Sequence, residues 1–134
     1  MTRENPEVPA FFRLDVEVGN LDEAESFYET LLQTRGQRHA GARIYFKAGP
    51  VTLQVCDVSG WKDLHPAAKA LYFSSSELDA VHARADQLGC LSKELVHGQV
   101  GGELSVRPWG ERSFYCEDPW GNPLCFVERG TEYL

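Results

Sequence analysis

The chain is 134 residues long, 43% hydrophobic and 25% charged, which suits one domain burying its own core. Its formal net charge of -7 argues against a nucleic-acid surface, because a phosphate backbone must be met by clustered Lys and Arg, and the densest basic feature is a scattered Arg35, Arg38 and Arg43. No apolar run approaches bilayer length.

Residues 1–9 read as a flexible lead-in. The stretch MTRENPEVPA holds acidic and proline residues where a secretory signal needs an apolar core, so a cytoplasmic protein is expected. The four cysteines, Cys56, Cys90, Cys116 and Cys125, form no C-x-x-C pair and are too sparse for a disulfide scaffold, so they are read as reduced thiols.

Residues 11–18 alternate as a strand does. Phe12, Leu14, Val16 and Val18 share a face expected to meet a core, and Phe11, Arg13, Asp15 and Glu17 share the other. Three charged side chains on one strand face are either solvated or line a polar cavity, and the pattern leaves both open. Asn20 then stands as an N-cap with Glu23 three positions on, a capping-box pattern. Leu21, Ala24, Phe27, Tyr28, Leu31 and Leu32 recur at helical spacing, and the helix is expected to end near Thr34-Arg35-Gly36, with glycine in a left-handed position. A short strand at 37–39 and a hairpin of 42–47 and 51–58, turning at Ala48-Gly49-Pro50, complete the first half.

Residues 59–69 break the periodicity and read as a linker. Residues 71–75 form a strand, and Leu78, Val81, Ala85 and Leu88 mark a second helix stopping at Gly89. Strand material follows at 91–96, then a glycine-rich turn at 98–102, a strand at 104–106, and strands at 113–116 and 124–127 reversing through Asp118-Pro119-Trp120-Gly121-Asn122-Pro123. The Leu21-Asp22 opening of the first helix recurs as Leu78-Asp79. Each half is thus a strand, a helix and three strands, and neither is large enough to hold a core alone.

The words V-x-N-L-D-x-A-x-x-F-Y-x-x-L (residues 18–31) and D-P-W-G-N-P-L (118–124) resemble the vicinal-oxygen-chelate superfamily, which includes glyoxalase I, the extradiol dioxygenases and the bleomycin-resistance proteins. The resemblance covers nearly the whole chain. It implies an α+β fold of two tandem βαβββ repeats, about 10–58 and 70–129, forming a curved mixed sheet around a cleft in a single domain. It also implies a homodimer.

In metal-using members the ligands stand on the first and last strands of each half. Carried over residue by residue, those places fall on Arg13, Ala70, Gln54 and Cys125. Arginine has no lone pair to offer and alanine no donor, so no metal and no cofactor are expected. Cys125 is either a packed thiol, the favoured reading, or a reactive one, and a disulfide to Cys116 on the adjacent strand is conceivable. His39 and His97 stand in similar places of the two halves, with nothing to supply a third ligand.

The expected ligand-binding set is Arg13, Asp15, Glu17, Gln54, Trp109, Tyr115 and Cys125, with no catalytic residue assigned. Trp109 is preferred to Trp61 and Trp120 because it precedes the closing hairpin, where members of this superfamily contact their ligands. Aromatic walls with a few polar groups suit an aromatic or cationic small molecule. The first expectation is therefore a metal-independent binding protein, of the kind that sequesters a drug or toxin. The alternative is a lyase, isomerase or dioxygenase with an atypical metal site and Glu17 or Asp15 as general base. A ligand-free interaction module is the third.

Overall fold

The computed structural model describes residues 7–133. Of the expected lead-in, residues 1–6 lie outside the described residues, and residues 7–12 belong to no helix or strand. The elements run β1 (Arg13–Val18), α1 (Leu21–Leu32), β2 (Gln37–His39), β3 (Arg43–Ala48) and β4 (Val51–Asp57), then β5 (Leu71–Ser75), α2 (Leu78–Gln87), β6 (Leu95–Val96), β7 (Gln99–Val100), β8 (Ser105–Val106), β9 (Arg112–Glu117) and β10 (Pro123–Glu128). Two four-stranded sheets result, ordered β1-β4-β3-β2 and β5-β10-β9-β8. In each the opening strand of the half runs parallel to its last strand. The two βαβββ units are therefore the same fold twice, with a small β6-β7 hairpin added to the second.

Helix α1 packs on β3 and β4, α2 packs on β9 and β10, and the helices pack on each other. Each sheet consequently has one face on the helices and an outer face turned away from them. Val16, Val18, Ile44, Phe46, Leu53 and Val55 fill the inner face of the first sheet, while Phe114, Leu124 and Phe126 fill that of the second. Tyr28, Leu31, Val81 and Ala85 supply the helical side of the same core.

Four local expectations are corrected. Phe12 lies one residue before β1 and is 62% exposed, so the inward face begins at Leu14. The left-handed residue ending α1 is Gln33, with φ 53°, and Gly36 has no positive φ. Gly36 is glycine for want of room: an added Cβ would stand 2.4 Å from Ile44 Cγ2 and 2.7 Å from Phe46 Cζ. The strand expected at 91–96 is reduced to a bridge between Leu91 and Cys116 and the two residues of β6. Its hairpin turns at His97 and Gly98, both with positive φ (50° and 80°), so the expected glycine-rich turn begins one residue earlier, and a second turn follows at Gly101-Gly102. The capping box is half made. Asn20 Oδ1 accepts from Glu23 N at 2.9 Å, among the described residues no bond returns from the Glu23 side chain to Asn20 N, and Asp57, from β4, accepts the Leu21 N–H at 3.1 Å.

The turn between β9 and β10 is the joint of the molecule. Asp118 is 4% exposed, and its carboxylate accepts from the Tyr28 hydroxyl (2.6 Å), Trp120 N (3.0 Å), Asn122 N (2.9 Å) and Asn122 Nδ2 (2.7 Å). Asn122 Nδ2 also donates to Glu17 O at 2.9 Å, and its Oδ1 accepts from Ala67 N at 2.8 Å. Burial, and then the adjacent Asp118 charge, push the Tyr28 hydroxyl well above the usual tyrosine range, so it remains a donor. One turn of five residues thereby fastens α1, the end of β1 and the linker to the second sheet.

Removing that acceptor strands several buried donors at once. Asp118→Ala is expected to lower the unfolding free energy by about 3 kcal/mol or more, and Tyr28→Phe by about 1–3 kcal/mol, as read from urea midpoints at constant slope. Near wild-type stability in Asp118→Ala would mean that the joint contributes little.

Candidate functional site

The pleat and the strand register place the expected site residues in two groups. On the outer face of the first sheet, Arg13 faces Thr52, Asp15 faces Gln54, Glu17 faces Cys56, and Tyr45 lies beyond Gln54 on β3. On the outer face of the second, Tyr72, Cys125 and Tyr115 form one row across β5, β10 and β9. The two sheets share no hydrogen-bonded strand pair. Arg13, Asp15, Glu17 and Gln54 therefore belong to one face, and Trp109, Tyr115 and Cys125 to another.

The first group is largely engaged with its neighbours. The Arg13 guanidinium lies 5.8 Å from the Tyr45 ring, which also has Arg43 at 5.7 Å and the His39 ring at 4.3 Å. Glu17 forms an ion pair with Lys62 and accepts from His65 N at 2.8 Å, so its carboxylate holds the linker against β1. These bonds keep Glu17 below the usual carboxylate range, the Lys62 contact first. Asp15 behaves oppositely. Partial burial, then the charge of Glu17, raise its carboxyl, against smaller opposing effects from Gln54, Lys62 and Arg13.

Of the second group, Trp109 lines a cleft of about 630 Å³ together with Tyr72, Ser74, Glu111, Glu132 and Tyr133, whereas Tyr115 and Cys125, expected to bind ligand, do not line it. Its geometry is set by two residues that pattern reading passed over. Glu111, 8% exposed, accepts from Trp109 Nε1 at 2.6 Å and from Tyr133 N at 2.7 Å, so one carboxylate orients two aromatic walls. Arg107, 2% exposed, donates to Ser113 Oγ (3.0 Å) and to the carbonyls of Gly101 (3.2 Å), Ser113 (3.2 Å) and Glu103 (3.3 Å), with its guanidinium 5.3 Å from the Tyr115 ring. A buried cation answered by carbonyl dipoles pins the loop that presents Trp109.

Cys125 is 1% exposed, and burial pushes its thiol up to about 11, so it is a neutral packed group at physiological pH. Burial and the Tyr72 hydroxyl raise Tyr115 as well. Cys116 pairs in register with Leu124, one residue off from the Cys125–Tyr115 pair, so the two thiols point to opposite faces of the sheet. The disulfide considered between them is excluded by the pleat. His39 and His97 are likewise apart, His39 against Tyr45 on the first sheet and His97 at the β6-β7 turn, 4.9 Å from the Trp109 ring.

A divalent metal does not fit the four places implied by the family resemblance. Arg13 supplies a fixed positive charge, Ala70 no donor, Gln54 a neutral amide and Cys125 a protonated buried thiol. Gln54 and Cys125 moreover stand on different sheets. Among the described residues no group of three or more His, Cys, Asp or Glu side chains is placed to hold a metal ion, and no helix is long and apolar enough to cross a membrane.

Duplicated βαβββ units with helices packed between two mixed sheets define the class. The family model for the Glyoxalase/Bleomycin resistance protein/Dioxygenase superfamily matches residues 11–126, and the chain belongs to that superfamily. No curated protein matches it. Among solved structures it is similar to a glyoxalase/bleomycin resistance protein from Albidiferax ferrireducens T118, with 22% identity over 89% of this chain and 98% of that one and a TM-score of 0.73. It is also similar to the oxidase ChaP-H2, with 21% identity over 92% and 95% and a TM-score of 0.72. Lactoylglutathione lyase from Agrobacterium tumefaciens has 22% identity over 92% and 96%, with a TM-score of 0.63. At these identities the structural likeness concerns the fold.

The raised Asp15 carboxyl fixes the sign of a pH effect. The folded state binds this proton more tightly than the unfolded chain, so the contribution is fully present below the unfolded pKa and is lost as pH rises through the folded one. Asp15→Asn cannot ionise and should melt higher than wild type at pH 7, with the gap closing by about pH 3 in scanning calorimetry. An unchanged gap across that range would assign the difference to something other than ionisation. For the thiols, iodoacetamide at pH 7.5 followed by peptide mass spectrometry should label half-buried Cys90 ahead of Cys56, since the Cys116 thiol beside Cys90 lowers it while burial raises Cys56. Buried Cys116 and Cys125 should stay unlabelled until denaturant is added.

Proposed function

We propose that the chain is a metal-independent binding protein for small aromatic cations, which it holds in the cleft beside β5 and sequesters without transforming. The observation that carries this is the lining: Tyr72, Trp109 and Tyr133 supply aromatic faces, Glu111 and Glu132 supply negative charge, and among the described residues no Lys, Arg or His takes part. A delocalised cation gains from both, by stacking and cation–π attraction and by proximity to carboxylates in a partly desolvated site. Arg13 at the place where metal-using relatives put a ligand supports binding without a metal. The protein works as a homodimer in this reading, as the family resemblance implies.

A second reading, an enzyme of the lyase or dioxygenase kind, is favoured by one group. Asp15 is a raised carboxyl without an ion-pair partner among the described residues, as a general base requires. Glu17 is less suited, being committed to Lys62 and His65.

Titration with planar aromatic cations such as ethidium and acriflavine should quench tryptophan fluorescence saturably. Trp109→Ala should abolish most of the quench, and Glu111→Gln should weaken binding by about tenfold. Neutral isosteres binding equally well, or no quench and no thermal shift across the panel, would sink the proposal. Near-stoichiometric metal retained after incubation with manganese, iron, nickel and zinc salts would put the enzyme reading first.

A further inference from the structure

A second cavity lies on the inner side of the sheets, where the halves diverge. It measures about 690 Å³, within the range of small-molecule pockets. Its walls are apolar and come from both halves: Leu14 and Leu53 from the first sheet, Leu31 and Val81 from the facing helices, Phe73 and Phe126 from the second sheet. The halves are joined at the end of β1, where Asn122 reaches Glu17 O, and this groove opens at its start, beside Leu14.

Among the described residues its charged lining is Lys47, Arg84 and Arg129, with no carboxylate. In a chain with 20 acidic and 13 basic residues, three cations and no acid around one groove is the reverse of the surface average. None of the three forms an ion pair among the described residues. Arg84 is held in place by the Leu31 carbonyl, which accepts from its Nε at 3.3 Å and its Nη2 at 3.2 Å. Apolar walls and a cationic rim match one kind of molecule, a hydrocarbon body ending in an anion.

We propose that this groove binds a single-chain carboxylate, alkyl or aryl-alkyl, with the chain between the sheets and the carboxylate at Lys47, Arg84 and Arg129. The groove adjoins the cleft beside Trp109 across β5, where Tyr72, Phe73 and Ser74 border both, and is opposite to it in charge preference. A guanidinium already oriented by a backbone carbonyl offers its remaining N–H groups to a carboxylate with little further ordering. Two exposed cations nearby add attraction that salt weakens.

The test uses dodecanoate as probe, followed by calorimetric titration of the full chain. Saturable binding is expected, weakened about tenfold for dodecanol, which keeps the chain and lacks the charge. Lys47→Gln/Arg129→Gln alters only exposed side chains and should reduce dodecanoate affinity by about tenfold with an unchanged melting temperature. Arg84→Gln should reduce it further, provided it folds. Trp109→Ala should leave dodecanoate binding intact, which separates this site from the aromatic cleft. Equal affinity for dodecanol and dodecanoate, or no effect of the Lys47/Arg129 pair, would overturn the assignment. So would dodecanoate affinity that falls as protein concentration rises, because the groove would then be covered by a second copy of the chain.

Discussion

A carboxylate buried at a turn must have its oxygens answered by donors, and in this molecule the answer to Asp118 determines how the halves meet. An ionised group removed from water costs several kcal/mol unless it is bonded on all sides. The donors come from α1, from the turn backbone and from Asn122, and Asn122 passes the connection on to β1 and the linker. Helix α1 is held against α2 in the arrangement that brings the Tyr28 hydroxyl to that carboxylate. The sequence word D-P-W-G-N-P is in this sense a specification of tertiary structure. Its residues serve the joint, and the chemistry of the site lies elsewhere.

Much of the fold was legible because it depends on local periodicity. The alternation of β1, the apolar stripes of α1 and α2, the Asn20 cap and the closing hairpin each follow from neighbours a few residues apart. So does the duplication, marked by Leu21-Asp22 and Leu78-Asp79. The failures share a cause. Phe12 continues the alternation of β1 but lies beyond the strand, and Gly36 is dictated by the Ile44 and Phe46 side chains above it, a contact that no local pattern encodes. The stretch after α2 has strand-like composition but only brief pairing partners.

The candidate site was less legible, for a topological reason. Arg13 and Cys125 occupy equivalent kinds of position in the two repeats, and sequence reading places them around one cavity. In the folded chain the helices stand between the sheets, so each repeat presents its own outer face. Glu17 seemed available until the linker brought Lys62 to it from 45 positions away. Arg107 was passed over because a charged residue is expected at the surface, and its burial depends on five carbonyl and hydroxyl acceptors assembled by the surrounding segments. The two cavities divide the charges of the chain between them, carboxylates at the aromatic cleft and cations at the apolar groove.

The anchoring of Arg107 also bears on how such a protein changes over time. Its hydrogen bonds close entirely within the second half, on Gln99, Gly101, Glu103 and Ser113, and none reaches Asp118, Asn122 or the first sheet. The loop that carries Trp109 and Glu111 is thus a self-fastened insert on a scaffold whose cohesion is secured elsewhere. Substitutions there alter what the cleft accepts without drawing on the stability of the joint between the halves, so new specificities are open to selection at small cost in folding.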